Sequence, residues 1–158
     1  MRKITTCLWF DTQAEAAADF YTSIFKNSRI LNVTHYGEAG PRPAGMVLTV
    51  EFELDGQPFV ALNGGPEFTF TEAMSLQIHC ATQEEIDHFW DRLTEGGQPG
   101  PCGWLKDRYG VSWQVVPIVL AELIKDPDQA KAQRAMAALQ TMGKLDIAAL
   151  ERAAADIA

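Results

Sequence analysis

Two stretches of the chain nearly repeat one another: "TQAEAAADFY" at 12–21 and, about seventy residues on, "TQEEIDHFW" at 82–90. An internal repeat of this kind constrains a fold more than any single motif, because both copies must form the same local structure. Each opens with Thr-x-x-Glu, Thr12/Glu15 and Thr82/Glu85, the pattern by which a side chain and a carboxylate satisfy free amide donors at a helix start. Apolar residues then recur at helical spacing, as Ala17, Tyr21, Ile24 and Phe25 in the first copy and Ile86, Phe89, Trp90 and Leu93 in the second. A short apolar strand precedes each helix, "ITTCLWF" before one and "SLQIHC" before the other.

Three further strands are expected after the first helix, at 28–36, 46–54 and 57–63, with Asp55-Gly56 as a two-residue hairpin turn between the last pair. After the second helix, "EGGQPGPCG" leads into "WLKD", and Asp107 to Gly110 form a turn before a strand over 111–116 closed by Pro117. The pattern divides the chain into a βαβββ module over 1–63, a linker over 64–74, and a second, shortened module over 75–117. The region 118–158 reads as helices, with Asp126 as an N-cap before Pro127 and Asp146 capping a last helix. Its stripe of Ala132, Ala135, Met136, Leu139 and Met142 needs something to cover it.

Thirteen basic against twenty-one acidic side chains give the 158 residues a net charge of −8, which speaks against nucleic acid or an anionic membrane as a partner. Three cysteines, Cys7, Cys80 and Cys102, without Cys-x-x-Cys spacing, read as reduced thiols of a cytoplasmic protein. The opening "MRKITTCLWFD" is too short and too soon interrupted by Asp11 to act as a signal peptide or a membrane span.

The doubled βαβββ unit resembles the vicinal oxygen chelate superfamily of glyoxalases, bleomycin-resistance proteins and extradiol dioxygenases. The phrases "CLWFDTQAEAAADFY", "FVALNGG", "GWLKDRYGVSWQVVP" and "KLDIAALERA" are similar, more narrowly, to its PhnB-like branch, which is often labelled demethylubiquinone methyltransferase-like. The resemblance implies an α+β fold with two modules whose curled mixed sheets surround a cavity, extended here by C-terminal helices. It also implies a homodimer. In metal-using members it implies ligands, typically His and Glu, from the first and last strands of each module.

Strand alternation assigns faces to those positions. Leu76, Ile78 and Cys80 suit the helix side, so Ser75, Gln77 and His79 face the other way. Carried through the repeat, the same register places Cys7 and Trp9 on the cavity side and Leu8 and Phe10 in the core. In the final strand Ser112, Gln114 and Val116 share a face, and Gln114 falls where metal-using relatives place a glutamate. In the strand 57–63, neither Phe59, Ala61 and Asn63 nor Val60 and Leu62 offers a carboxylate. The candidate ligand-binding residues are therefore Cys7, Trp9, Asn63, Gln77, His79 and Gln114.

Simpler roles stand beside these. His79 suits a half-buried strand histidine, Cys7 a packing thiol without an activating cation, Trp9 and Trp104 core or pocket wall, and Gln114 a plain sheet residue. Glu51 and Glu53 alternate with Val50, Phe52 and Leu54 and read as solvated. If their face turned inward they would be the carboxylates able to rescue a metal site. Divalent ions of the Mn, Fe or Ni type want imidazole and carboxylate, and only His79, with Gln114 as a weak amide, answers. The expected function is thus binding of a small organic molecule without cofactor or metal. The alternative is a metal-dependent lyase or dioxygenase of the same superfamily. A methyltransferase of the common doubly wound type would need a glycine-rich turn after its first strand, and "CLWFDTQAEA" contains no glycine.

Overall fold

The structure, a computed structural model, describes residues 2–157. It has mixed α+β architecture, and the chain divides after Phe70 into two compact units.

The first unit runs β1 (Thr6–Phe10), α1 (Ala14–Ile24), β2 (Arg29–His35), β3 (Val47–Leu54) and β4 (Gln57–Asn63). Its sheet has the order β1-β4-β3-β2, with β1 parallel to β4 and the other pairs antiparallel. The hairpin between β3 and β4 turns on Asp55 and Gly56 with φ of 47° and 77°, the doubly left-handed turn that suits the twist of paired strands. One face of α1 (Ala14, Ala17, Ala18, Tyr21 and Ile24) is buried, as are Leu8, Phe10, Val50, Phe52, Leu54, Phe59 and Ala61 of the sheet. Small alanines let helix and sheet approach closely, and Tyr21, Phe52 and Phe59 stack through the layer at centroid distances of 6.3 and 5.4 Å.

The start of α1 departs from the expected capping box. Its N-cap is Gln13, and no side chain of its own segment caps it. The Asn63 side chain does so from β4: its Oδ1 accepts from Ala14 N at 2.8 Å, and its Nδ2 donates to Val47 O at 3.0 Å. Tyr36 Oη donates to Asn63 O at 2.7 Å. With Asn63 supplying the acceptor, Thr12 is released from the role. In the second copy the box forms as expected, with Thr82 accepting from Glu85 N at 3.2 Å and Glu85 accepting from Ala81 N at 3.0 Å.

The second unit repeats the topology with β5 (Leu76–Cys80), α2 (Gln83–Thr94), β6 (Gln98–Pro99), β7 (Trp104–Lys106) and β8 (Ser112–Pro117), in the order β5-β8-β7-β6. It is the shortened copy: β6 has 2 residues and β7 has 3, against 7 and 8 in their counterparts β2 and β3. Three helices follow, α3 (Ile118–Ile124), α4 (Gln129–Leu139) and α5 (Ile147–Ala154). The N-cap of α4 is Asp128, which accepts from Ala130 N at 3.0 Å, two residues beyond the expected Asp126. Asp146 caps α5 as expected, accepting from Ala149 N at 3.0 Å.

This tail packs within its own unit. Leu139, Leu145 and Leu150 form a buried cluster joined by Cys102, Val116, Leu120, Leu123, Met136 and Met142. Gln83 ties it to the start of α2, donating to Leu145 O and accepting from Ile147 N, both at 2.9 Å. Lys144 pairs with Asp87 at 3.0 Å, and two backbone bonds, Cys102 N to Met142 O and Gly103 N to Gly143 O, stitch the 100–104 loop to the tail. The apolar stripe that needed cover is thus covered inside the chain. Among the described residues, no helix is long and apolar enough to cross a membrane.

Two predictions follow from these contacts. Asn63→Ala removes the acceptor for Ala14 N and leaves the Val47 carbonyl unpaired, and is expected to cost about 2–4 kcal/mol in urea unfolding. A cost no larger than that of a surface substitution would remove Asn63 from this role. Ending the chain after Lys125 removes Leu139, Leu145 and Leu150 and uncovers Val116, Leu120 and Leu123, which pack against them; each aliphatic side chain so exposed costs up to about 1.5–3 kcal/mol, so a clear fall in the thermal midpoint is expected. An unchanged midpoint would show that the helices cover nothing that matters.

Candidate functional site

Each sheet carries a helix on one face and is open on the other, except where Val116 of the second sheet packs against the tail's leucine cluster. On the second sheet the register sorts the side chains. Gln77 pairs with Gln114, Trp104 with Gln114, and His79 with Val116, so these five share the open face. Ile78, Cys80, Trp113 and Val115 are buried on the opposite side. His79 and Gln77 are exposed and Gln114 is half-buried.

The amide of Gln114 is engaged at both ends. Its Nε2 donates to Ser75 Oγ at 2.8 Å, and its Oε1 accepts a longer bond of 3.4 Å from Gln77 Nε2. This chain leaves Gln77 Oε1 as a free acceptor at one end and the Ser75 hydroxyl proton at the other. Ser75 stands on the Gln77 side, as alternation placed it, but was not among the candidate ligand-binding residues; its bond to Gln114 brings it into the group.

The strand β8 owes its position to Asp107. This carboxylate is 3% exposed, and it accepts from Tyr109 N at 2.8 Å, Val111 N at 3.1 Å and Trp113 Nε1 at 2.9 Å. A buried charge is tolerable only with such a set of donors. The turn role expected of Asp107 is right, and its burial adds that it fixes which residues of β8 face outward.

In the first sheet, Cys7 and Trp9 stand on the open face as expected, with Leu8 and Phe10 on the helix side. Trp9 is held by its Nε1 bond to Gly65 O at 2.9 Å and by an edge contact with Phe68. A β-carbon at Gly64 would fall 2.5 Å from the Trp9 ring, so the glycine permits that packing. Asn63 does not join them. It pairs with Phe10 in the parallel register, lies on the helix side at 2% exposure, and has both ends of its amide committed. A residue so occupied has no free group to offer a ligand, which removes it from the candidate lining. Glu51 and Glu53 stand on the open face, where Glu51 pairs with Val60 and Val60 with Cys7. Arg29 neutralises Glu53 at 2.8 Å.

Around Gln114 the groups are neutral amides and a hydroxyl, while the charged side chains of the two faces include Glu51, the Glu53–Arg29 pair and the Lys106–Glu72 pair. Among the described residues, no three His, Cys, Asp or Glu side chains come together in a way that could hold a metal ion. The carbonyl oxygen of Gln114, its only atom able to ligate a cation, already accepts from Gln77. The described residues thus bring together no three-ligand set of the kind a divalent metal ordinarily takes. The thiols are equally quiet. Partial desolvation pushes the Cys7 pKa up, and burial, aided by the Glu85 charge, pushes Cys80 to about 12.

Paired βαβββ modules with this strand order define the glyoxalase-type fold. The solved structures that match agree: a protein from Pseudomonas aeruginosa at 18% identity (74% of this chain, 98% of that one, TM-score 0.62), and the fosfomycin resistance protein FosX from Listeria monocytogenes at 14% (77% and 97%, TM-score 0.53). A PhnB protein from Bacillus cereus, described as a 3-demethylubiquinone-9 3-methyltransferase, is 41% identical over 73% of this chain and 99% of its own, with a TM-score of 0.66. The family model described as 3-demethylubiquinone-9 3-methyltransferase matches residues 2–116. The chain belongs to this PhnB-like family. The comparison with curated proteins gave no match. The helices α3 to α5 lie beyond the family match.

The raised thiol pKa values give a direct test. A raised value lowers the thiolate fraction at any pH below it, so alkylation of both thiols by iodoacetamide should lag a free cysteine at pH 8 and accelerate as pH rises. Exposed Cys7 should react first, and Cys80 only on unfolding. Rapid labelling of Cys7 at neutral pH would reveal an activated nucleophile.

Proposed function

We propose that this protein binds a small organic molecule on the open face of its second module, without a metal. The observation that carries this reading is the hydrogen-bonded run Gln77–Gln114–Ser75. Neutral amides that satisfy one another leave a face that is stable when empty and offers one acceptor and one donor to an incoming polar group. Trp104 and His79 on the same face supply aromatic surface, and a mostly apolar lining with a few placed polar groups is the usual makeup of a small-molecule site. In the first module, Cys7 and Trp9 offer a comparable face.

Methyl transfer, the activity in the family's description, has little support in these residues. Each sheet contains a single parallel pair, and Asp11-Thr12-Gln13 after β1 lacks the glycines of a nucleotide-binding turn. A homodimer remains the assembly we propose, resting on the open strand edges rather than on the tail. The three unbridged cysteines favour a cytoplasmic location.

Native mass spectrometry with elemental analysis, on protein purified without chelator, tests the reading. The expected result is a dimer mass, substoichiometric divalent metal, and an organic ligand that is lost in Gln114→Ala. One equivalent of Mn, Fe, Ni or Zn that disappears in His79→Ala would establish the metal-dependent alternative. A purely monomeric mass would remove the dimer.

A further inference from the structure

One side chain on the second module's open face is out of keeping with its surroundings. Ser112 lies on the Gln114 side of β8 by alternation, yet it is 2% exposed, and its Oγ is the buried side-chain polar atom left without a hydrogen-bond partner among the described residues. An unpaired buried hydroxyl costs about 1–3 kcal/mol, so it asks for an explanation. Its neighbours supply one. Lys106 of β7 pairs directly with Ser112, and Ser75 lies in line with it on the other side, one position before the Leu76–Trp113 pair. The Ser75 oxygen already accepts from Gln114, which leaves its proton to donate. Lys106, Ser112 and Ser75 therefore place an ammonium and two hydroxyl donors in one cross-strand row, at a strand spacing of about 4.8 Å.

The Lys106 ammonium is not vacant. Glu72, from the segment that leads into β5, holds it in an ion pair, and the side chains are 39% and 59% exposed. The hydrogen bond from Lys106 keeps the Glu72 carboxyl below its usual range. Exposed pairs of this kind exchange with water and contribute little to stability. The row thus already holds a carboxylate at its cationic end, supplied by the chain itself and weakly retained.

We propose that Lys106, Ser112 and Ser75 form a carboxylate-binding subsite on this face, and that Glu72 occupies its cation until a ligand carboxylate displaces it. The subsite rests on the ligand-binding reading above and names the ligand's anchoring group as a carboxylate. The Gln77–Gln114 amides lie in the next row along the strands and would meet the polar part beside that carboxylate. No bond is made or broken. Displacement exchanges one charge-assisted hydrogen bond for another and adds donation from two hydroxyls, one of them unpaired in the empty face.

Titration of the full-length, ¹⁵N-labelled protein with sodium benzoate at constant ionic strength tests this. Amide shifts should concentrate at Ser75, Lys106 and Ser112. Glu72→Gln removes the competing carboxylate and should tighten benzoate about two- to fivefold, the range an exposed ion pair is worth. Lys106→Gln should abolish binding, and Ser112→Ala should weaken it several-fold while the rest of the amide spectrum stays in place. Equal affinity of wild type and Glu72→Gln overturns the proposal, as does undiminished binding by Lys106→Gln or an absence of shifts in both proteins. Should benzoate fail while native spectra still show an organic ligand lost in Gln114→Ala, the carboxylate anchor falls and the metal-free binding reading survives.

Discussion

The buried amide of Asn63 is the interaction on which the first module depends. One side chain closes the start of α1, takes up the first carbonyl of β3, and lies where Tyr36 donates to its backbone oxygen. Helix, sheet and the loop after β2 are thus fastened at one point, inside the layer where water cannot substitute. The equivalent position in the second module is Pro117, paired with Cys80 as Asn63 is with Phe10. Proline has no side-chain amide, so α2 must cap itself, and it does so with Thr82 and Glu85. The two copies meet the same obligation, unpaired donors at a helix start, with different residues.

A second buried polar hub does for β8 what Asn63 does for α1. Three donors converge on Asp107, one of them the indole of Trp113 two strand positions after Val111. Fixing Trp113 inward fixes Gln114 outward, because a strand cannot turn one residue without turning the next. The open face of the second sheet is therefore set from beneath. The polar residues on it need not hold themselves in place, and the amides of Gln77 and Gln114 engage one another.

Much of this was legible in the sequence, for identifiable reasons. The strand faces of Cys7, Trp9, Gln77, His79 and Gln114 followed from alternation, which is enforced wherever the other face is buried. The Asp55-Gly56 hairpin followed from its left-handed backbone, which those residues tolerate. Asn63 was misplaced because side-chain identity alone does not say whether an amide serves a ligand or a distant helix start. Its cap on Ala14 spans 49 residues, beyond any local pattern. The tail's stripe was correctly seen as needing cover, but a single sequence does not reveal that Gln83, from the middle of the chain, would be what receives it. The Ser112 row was invisible for a similar reason: it exists only when β5, β7 and β8 are laid side by side.

The amide at Gln114 also decides the charge of the second sheet's open face. A glutamate at position 114 would carry a charge that only a cation or several donors could offset, so its environment would have to supply one. Glutamine is satisfied by Ser75 and Gln77 alone, and the face becomes self-sufficient. The remaining charge on that face, Lys106, is then balanced within the chain by Glu72. The result is a surface with no net charge in an acidic protein. The amides of Gln77 and Gln114 and the Lys106–Glu72 pair are held by weak, partly exposed partners, while the buried Asp107 hub keeps β8 beneath them fixed.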